Sequence, residues 1–240
     1  MKISIITLFP EMFDKVFNQS MLWKAQDRGL VEFELIDLRR FGLGPRHQVD
    51  DTPYGGGDGM LLKPEPIFAA VEDAKTRNPD AKVVLMTPKG RIWDQARASE
   101  FAGSGNNFIF ICPHYEGYDE RILTLVDYQV CLGKFILTGG EIPTMAVVDS
   151  IVRLIPGVLG GEMSAVIESF SDGDNYEYPQ YTRPEVFMGK AVPEILRSGH
   201  HANIARWRRN ESLRRTKEIR PDLLEKAELD KEDRKYLDSL

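Results

Sequence analysis

The sequence has few cysteines and no long apolar run, and both shortages restrict the class of protein. Among the 240 residues only Cys112 and Cys131 occur, each in an apolar context typical of a strand. Buried thiols in a reducing cytoplasm are therefore expected, rather than a disulfide-stabilised extracellular fold. No apolar run reaches the roughly 18–20 residues that a membrane-spanning helix needs. Residues 1–6 lack the pattern of a signal peptide and are predicted to form the first strand.

The usual ligand-binding signatures are also missing. Neither G-x-G-x-x-G nor G-x-x-x-x-G-K-[ST] occurs, which excludes the common dinucleotide and P-loop motifs. The histidines His47, His114, His200 and His201 do not have the spacing of a zinc site. What is left is an ordinary globular composition, with 42% hydrophobic and 28% charged residues, from which no particular chemistry follows.

Charge is distributed unevenly along the chain. The net charge of −6 by itself disfavours binding to nucleic acid. Residues 197–220, however, contain eight Lys or Arg and two Asp or Glu, a local charge of +6, so the rest of the chain carries −12. A basic segment on an acidic protein indicates a local contact with a polyanion.

Strand-like and helix-like segments alternate through most of the chain, which predicts an α/β fold with a parallel sheet covered on both faces. The predicted strands are 2–8, 31–36, 82–86, 107–112 and the apolar run 130–137, and the predicted helices are 9–28, 64–77, 91–101, 118–126 and 142–155. Residues 1–161 are assigned to this domain, 162–178 to an acidic and polar linker, and 179–240 to a small helical domain that includes the basic segment.

Three stretches rich in glycine and proline each follow a predicted buried strand, at 85–90, 111–121 and 130–143. Glycine lets backbone groups approach a ligand closely, and Pro143 is suited to the first turn of a helix. Ligands of open α/β sheets bind at the carboxyl ends of the strands. We therefore expect the three stretches to be walls of one pocket.

A long loop interrupts the pattern at residues 41–59, which contain six glycines and two prolines. Structureless loops of this length are uncommon inside compact domains and are usually functional. Two interpretations remain open: a flexible linker, or a lid that closes over bound ligand.

Several short motifs resemble, in order, those of one family. They are Asp-x-Pro-Tyr-Gly-Gly-Gly-x-Gly-Met at 51–60, Tyr-Glu-Gly-x-Asp-Glu-Arg at 115–121, Leu-Thr-Gly-Gly-Glu-x-Pro at 137–143, Ile-Pro-Gly-Val-Leu-Gly at 155–160, Tyr-Thr-Arg-Pro-Glu at 181–185, Ser-Gly-His-His at 198–201, Trp-Arg at 207–208 and Ser-Leu-x-Arg-Thr at 212–216. The ordered set is similar to that of the bacterial tRNA (guanine-N1)-methyltransferases, which belong to the SPOUT class of trefoil-knotted methyltransferases.

The resemblance implies properties that the residues alone do not reveal. The expected fold is a SPOUT-type trefoil-knotted parallel sheet domain with a small C-terminal helical domain, although knots are rare in proteins generally. The implied activity is methylation of guanine N1 at the tRNA position 3′-adjacent to the anticodon, position 37, which supports the reading frame. The implied cofactor is S-adenosyl-L-methionine, with Mg²⁺ as a family trait for which no ligand set is legible. The implied assembly is a cytoplasmic homodimer whose active site is shared between the chains.

By position, the resemblance assigns most of the three pocket stretches to the cofactor. The implied cofactor-binding residues are Leu85, Thr87, Pro88, Gly90, Pro113, Tyr115, Glu116, Leu132, Gly133, Lys134, Phe135, Ile136, Leu137, Thr138, Gly140 and Pro143. An alternative for Leu132, Phe135 and Leu137 is that they are core residues with a purely structural role.

The resemblance also implies two catalytic groups. Glu168 is expected to remove the proton from guanine N1, with Asp172 and Asp174 as alternative acids, and Arg153 to stabilise the charge that develops on O6. Arg153 alternatively is only a cation near a helix C-terminus. The implied RNA-binding residues are Tyr54, Arg183, His200, His201, Asn203, Trp207, Arg208, Arg209 and Arg215.

Three positions depart from the family pattern. The chain has Glu168 where the family usually has Asp, Pro113 where it has Gly, and Lys134 where it has Asp. Proline at 113 removes a backbone N–H. Two other functions therefore remain as alternatives: a tRNA-binding protein that keeps the fold without catalysis, and a small-molecule α/β enzyme that uses another nucleotide.

Overall fold

The computed structural model describes residues 1–160, 168–170, 175–225 and 227–240. The chain divides into two compact units, Met1–Gly160 and Gly161–Leu240. The elements of the first unit are β1 (Lys2–Thr7), α1 (Glu11–Phe17), α2 (Ser20–Asp27), β2 (Glu32–Asp37), β3 (Asp50–Asp51), β4 (Leu61–Leu62), α3 (Pro64–Arg77), β5 (Lys82–Ile92), α4 (Gln95–Gly103), β6 (Phe108–Ile111), β7 (Tyr128–Cys131) and α5 (Glu141–Val152). Single 3₁₀ turns lie at Leu38–Phe41 and Glu120–Leu125.

Five parallel strands form the sheet of this unit, in the order β2-β1-β6-β5-β7. Its two faces carry separate apolar clusters. Ile3 and Ile5 of β1 pack with residues of α1, α2, α4 and α5, whereas Ile6 packs with the apolar face of α3. Burial on both faces explains why β6 and the first half of β5 are continuous apolar runs, whereas the edge strand β2 alternates. The predicted parallel α/β sheet is confirmed.

Four predicted helices differ from the structure. The helix predicted for residues 118–126 is the 3₁₀ segment Glu120–Leu125, and the helix predicted for 142–155 is α5, which ends at Val152. The single helix predicted for residues 9–28 is two helices, α1 and α2, separated at Asn18 and Gln19. The helix predicted to begin at residue 91 begins at Gln95, because Arg91 still pairs with β7 and the Asp94 carboxylate caps the helix by accepting from the Arg97 N–H.

The apolar run after β7 is a loop and not a strand. β7 ends at Cys131, and Phe135, Ile136 and Leu137 are 57%, 77% and 39% exposed. The prediction of a buried strand reaching residue 137 is therefore wrong. These side chains lie at the edge of a cavity, so their apolar character does not report burial in the sheet.

Strand β5 contacts β7 twice, before and after a short detour. Met86 and Arg91 both pair with Val130, so residues 87–90 leave the ladder between them. Gly90 makes this return possible, because a Cβ at this position would lie 2.5 Å from the Val130 backbone nitrogen. The detour places residues 87–89 beyond the carboxyl edge of the sheet.

The second unit is largely helical, as predicted for residues 179–240. Its elements are the hairpin of β8 (Val186–Phe187) and β9 (Lys190–Ala191), a 3₁₀ turn at Glu194–Arg197, and the helices α6 (His201–Ile219), α7 (Pro221–Leu224) and α8 (Lys231–Asp238). The hairpin was not predicted. Among the described residues, no helix combines the length and apolar character needed to cross a bilayer.

Buried polar contacts hold the second unit together. Tyr176, in the predicted linker, donates its N–H to Thr216 Oγ1 at 2.9 Å and accepts from Ser212 Oγ at 2.5 Å. The buried Asp233 of α8 accepts from Arg206 at 3.1 Å and from Arg209 at 2.9 Å. The rest of the predicted linker, at 162–167 and 171–174, lies outside the described residues.

Replacing Gly90 by Ala tests the close approach of β5 to the backbone of β7. The added Cβ meets the backbone of Gln129 and Val130, which cannot move without breaking the ladder. We expect a loss of about 1–3 kcal/mol in the free energy of unfolding, measured by urea denaturation. Gly103→Ala is the matched control, since a Cβ there meets nothing within 4 Å. Equal stability of the two variants would contradict the close approach of Gly90 to the β7 backbone.

Candidate cofactor and RNA sites

A cavity of about 470 Å³ opens at the carboxyl edge of the sheet. It is lined by the detour of β5, the loop after β6 and the loop after β7, so the three glycine-rich stretches lie around one space. The strands β6, β5 and β7 are neighbours in the sheet, which brings their carboxyl ends together. This size and location are typical of small-molecule sites in parallel α/β proteins.

Most of the expected cofactor-binding residues line this cavity. They are Thr87, Pro88, Pro113, Tyr115, Glu116, Leu132, Gly133, Phe135, Ile136, Leu137, Thr138, Gly140 and Pro143. Three are not among the lining residues. Leu85 is buried in the core between the sheet and α3, Gly90 lies against the β7 backbone, and Lys134 is exposed in the loop after β7.

Some lining residues were missed from the sequence, among them His114, Tyr118 and Gly139. Tyr118 and Gly139 lie inside the matched runs 115–121 and 137–143, so position offered a signal for them, whereas His114 directly precedes the first of these runs. The Tyr118 hydroxyl donates to Thr87 Oγ1 at 3.1 Å. This bond joins the loop after β6 to the detour of β5.

The loops after β6 and β7 meet at Gly139 and Gly140. The Gly140 N–H donates to the Pro113 carbonyl at 2.7 Å, and His114 forms an antiparallel bridge with Gly139. A Cβ at Gly140 would lie 2.7 Å from the Cys112 Cα, so the backbones pack without space for a side chain. Pro113, despite lacking an N–H, contributes its carbonyl to this contact.

The C-terminal end of the long glycine loop lies beside this cavity. Strands β3 and β4 pair across it, and the Glu116 N–H donates to the Met60 carbonyl at 3.1 Å. The Glu116 side chain, which lines the cavity, lies against Gly59, where a Cβ would overlap its Cγ. Tyr54 is fully exposed within the loop. The loop is therefore fixed at one end to the cavity wall.

Buried polar groups lie behind the cavity. The Glu141 carboxylate is 2% exposed and accepts from Thr7 Oγ1 at 2.9 Å. Burial raises the pKa of the Cys112 thiol, the neighbouring Glu141 raises it further, and a contact of 3.1 Å between its sulfur and Thr144 Oγ1 opposes the rise. The thiol is therefore protonated and unreactive at neutral pH.

Arg153 lies at the C-terminal cap of α5, where its N–H donates to the Asp149 carbonyl. Its side chain is half-buried. The cavity residues Gly140 and Pro143 are at the opposite end of this helix. A rise of 1.5 Å per residue places about 15–20 Å of helix between Arg153 and the cavity of the same chain.

The expected RNA-binding residues differ in accessibility. Arg183, His200, His201, Asn203 and Arg208 are exposed, whereas Trp207, Arg209 and Arg215 are half-buried. The Arg208 guanidinium lies 4.7 Å from the centre of the Tyr178 ring, a cation–π contact that leaves its charge accessible. Arg209 instead pairs with Asp233, so it has a structural task within the second unit.

The predicted acids are placed only in part. Glu168 is described and half-buried within the second unit, whereas Asp172 and Asp174 lie outside the described residues. Within the described ranges, no group of three or more His, Cys, Asp or Glu side chains is arranged to hold a metal ion.

The fold and the cavity define a parallel α/β protein with a small-molecule site at the carboxyl edge of its sheet, linked in sequence to a helical unit that contains the basic segment 197–220. Comparison with known proteins makes the class specific. The profile of the family described as tRNA (Guanine-1)-methyltransferase TrmD matches residues 1–226.

Individual relatives agree over their whole length. The chain is 51% identical over 242 residues to the tRNA (guanine-N(1)-)-methyltransferase of Dehalococcoides mccartyi, which covers 100% of this chain and 97% of that protein. It is 52% identical over 237 residues to the protein of the same name from Clostridium botulinum, with 99% and 98% covered. The corresponding protein of Staphylococcus epidermidis is 50% identical over 240 residues, with 100% and 97% covered. The chain belongs to the tRNA (guanine-N1)-methyltransferase family.

Proposed function

We propose that this protein transfers the methyl group of S-adenosyl-L-methionine to N1 of guanine at position 37 of tRNA, 3′-adjacent to the anticodon. Such a modification supports maintenance of the reading frame. The observation that carries the proposal is that the loops that the family resemblance assigns to the cofactor surround one cavity. Family membership then gives this cavity its reaction.

The residues present fit the proposed cofactor. Gly133, Gly139 and Gly140 border the cavity, and an added Cβ at each would overlap neighbouring protein atoms, so these glycines let the cavity walls pack closely. Phe135 and Leu137 add apolar surface for a nucleoside. When bound, the cofactor supplies an electrophilic methyl group on a sulfonium centre. The protein residues hold and orient the adenosine and methionine parts, and the loops exclude water.

Two charged side chains supply the remaining chemistry in this proposal. Guanine N1 carries a proton and is a poor nucleophile until that proton is removed. Glu168 accepts the proton, which is a general-base contribution of about 10²–10⁴-fold. Arg153 then stabilises the negative charge that develops on O6, because a guanidinium donates in a fixed planar geometry.

The position of Arg153 supports a site that is shared between two copies of the chain. The cavity and Arg153 lie at opposite ends of α5, about 15–20 Å apart along a rigid helix. A homodimer that brings Arg153 of one copy to the cavity of the other resolves this separation. Exposed Phe135, Ile136 and Ile142 beside the cavity supply apolar surface for such a contact.

The trefoil knot and the cofactor loops belong to the same proposal. Residues 132–140 pass against the loop after β6, with Gly140 in contact with the Cys112 backbone. The detour of β5 around Val130 is a second close backbone approach in the same region. Both approaches support the proposal of a threaded backbone. A role for Mg²⁺ and a cytoplasmic location are carried over from the resemblance as expectations.

The second unit is proposed to bind tRNA. Its basic residues lie along α6, with exposed Arg208 and half-buried Arg215, and Arg183 and His200 are exposed before the helix. Contacts between such residues and phosphates release counterions, so binding is expected to weaken steeply with salt. Tyr54 and the glycine loop are proposed to help admit a guanine flipped from its stack.

The direct test is transfer of a tritiated methyl group to unmodified tRNA that carries guanosine at position 37. Nuclease digestion followed by mass spectrometry should identify N1-methylguanosine at that position. Binding of tRNA and S-adenosylhomocysteine without transfer would favour the non-catalytic RNA-binding alternative. Calorimetric binding of another nucleotide but not of S-adenosylhomocysteine would favour the third function.

Replacing Glu168 by Gln tests the general base. The amide keeps the shape of the side chain but cannot accept the N1 proton, so we expect turnover to fall by about 10²–10⁴-fold with cofactor affinity retained. Single-turnover methyl transfer and calorimetry provide the two measurements. Glu194→Gln, at an exposed position of the same unit, is the matched control. Unchanged turnover in Glu168→Gln would assign the base elsewhere.

Separate alanine substitutions of Arg208 and Arg209 test the RNA surface. Arg208→Ala should weaken tRNA binding and reduce the slope of log K against log salt by about 0.9, with the melting temperature unchanged. Arg209→Ala should instead lower stability by about 1–3 kcal/mol, because the buried Asp233 loses a partner. Filter binding at several salt concentrations and thermal melting distinguish the two. If Arg209→Ala reduces the salt dependence of tRNA binding as much as Arg208→Ala and does not lower stability, Arg209 is an RNA contact as well.

A further inference from the structure

Two ionisable side chains beside the cavity have no task in the proposed reaction. Glu141 lies in the first turn of α5 and is 2% exposed, and its Oε2 is 3.5 Å from Nδ1 of His114. Its other oxygen accepts from the Thr7 hydroxyl of β1 at 2.9 Å. His114 is on the cavity wall, packed against the ring of Phe9 at 4.9 Å. The pair therefore joins the interior of the unit to the surface that faces ligand.

Gly139 explains why these two side chains can approach each other. A Cβ on this residue would overlap both Glu141 Oε2 and His114 Nδ1. The carboxylate and the imidazole thus occupy the space that any other residue at position 139 would fill. The glycine pair has two separate tasks: Gly140 admits the backbone of Cys112, and Gly139 admits the histidine–carboxylate pair.

The contact is close but not complete. In the described residues, His114 Nδ1 is buried and makes no hydrogen bond, although the carboxylate oxygen is only 3.5 Å away. A buried polar atom without a partner is unfavourable, and hydrogen bonds from nitrogen to oxygen usually measure about 2.7–3.2 Å. A small approach of the two loops would form this bond. The same approach would narrow the cavity between them.

We propose that His114 and Glu141 are a positioning pair for the cofactor loops. The Nδ1–H of His114 donates to Glu141 when ligand draws the loop after β6 toward the loop after β7. Glu141 is fixed by Thr7 and by the N-terminus of α5, where a negative charge is favourable, so it serves as the immobile partner. The pair adds a side-chain contact to the backbone bond between Gly140 and Pro113. The inference rests on the proposed cofactor site.

The test measures cofactor-product affinity and not turnover. Calorimetry gives the Kd of S-adenosylhomocysteine for the wild type, His114→Phe, Glu141→Gln and the double variant. We expect His114→Phe to raise Kd about tenfold and Glu141→Gln, whose uncharged amide oxygen is a weaker acceptor, to raise it about threefold. The double variant should bind no more weakly than His114→Phe, because that variant already lacks the donor. Phe keeps the packing of the ring on Phe9 but has no donor. Glu72→Gln, on the exposed side of α3, is the matched control.

Rescue separates positioning from general stability. His114→Asn keeps a donor close to the position of Nδ1 and should return Kd to within about threefold of the wild type, although it packs less well against Phe9. Melting temperatures identify any variant that does not fold. Should Glu141→Gln be such a variant, the contrast between Phe and Asn at position 114 decides the question.

Three outcomes would contradict the proposal that His114 and Glu141 position the cofactor loops. They are unchanged affinity in folded His114→Phe, additive losses in the double variant, and an Asn variant as weak as the Phe variant. A wild-type protein that does not bind S-adenosylhomocysteine would remove the proposed function together with the inference. If the wild type and all variants bind S-adenosylhomocysteine equally well, the positioning role is contradicted and the proposed function is not.

Discussion

The structure depends on the contact between two backbones at the carboxyl edge of the sheet. The Gly140 N–H donates to the Pro113 carbonyl at 2.7 Å, and the Gly140 Cα lies too near Cys112 for a side chain to fit. Because β6 and β7 flank β5, this contact closes the space above the end of β5 and forms the cavity. The free energy of burying the strands holds the sheet together, but the close approach of the loops determines the ligand site.

The sequence contains enough information for the sheet but not for the loops that leave it. Strands buried on both faces are continuous apolar runs, and α3 was predicted at its observed bounds because Ile67, Val71 and Ala74 repeat at helical spacing. The run 130–137 is equally apolar, yet Phe135 and Ile136 are exposed. An apolar sequence does not distinguish side chains that are buried in the core from side chains at a surface that binds a ligand or a second chain.

Contacts between distant residues explain the other failures. Glu141 and His114 are 27 positions apart, and Thr7 is 134 positions from Glu141, so no local pattern predicts their cluster. Arg209 belongs to a basic run that indicates RNA, but Asp233 of α8 engages its guanidinium. Charge runs predict the sign of a surface, whereas the partner of each charge depends on tertiary packing. The family resemblance indicated most of the residues that line the cavity because it preserves position, which periodicity does not.

Helix α5 divides the proposed reaction between its two ends. Its N-terminal turn carries Glu141 and Pro143 at the cavity, and its C-terminal cap carries Arg153. A regular helix of 12 residues is about 18 Å long and does not bend enough to bring its ends together. A single copy can therefore hold the proposed cofactor without placing Arg153 beside the methyl group. In the proposed reaction, cofactor binding belongs to each chain separately and methyl transfer involves two chains, because one rigid helix keeps Arg153 away from the cavity of its own chain.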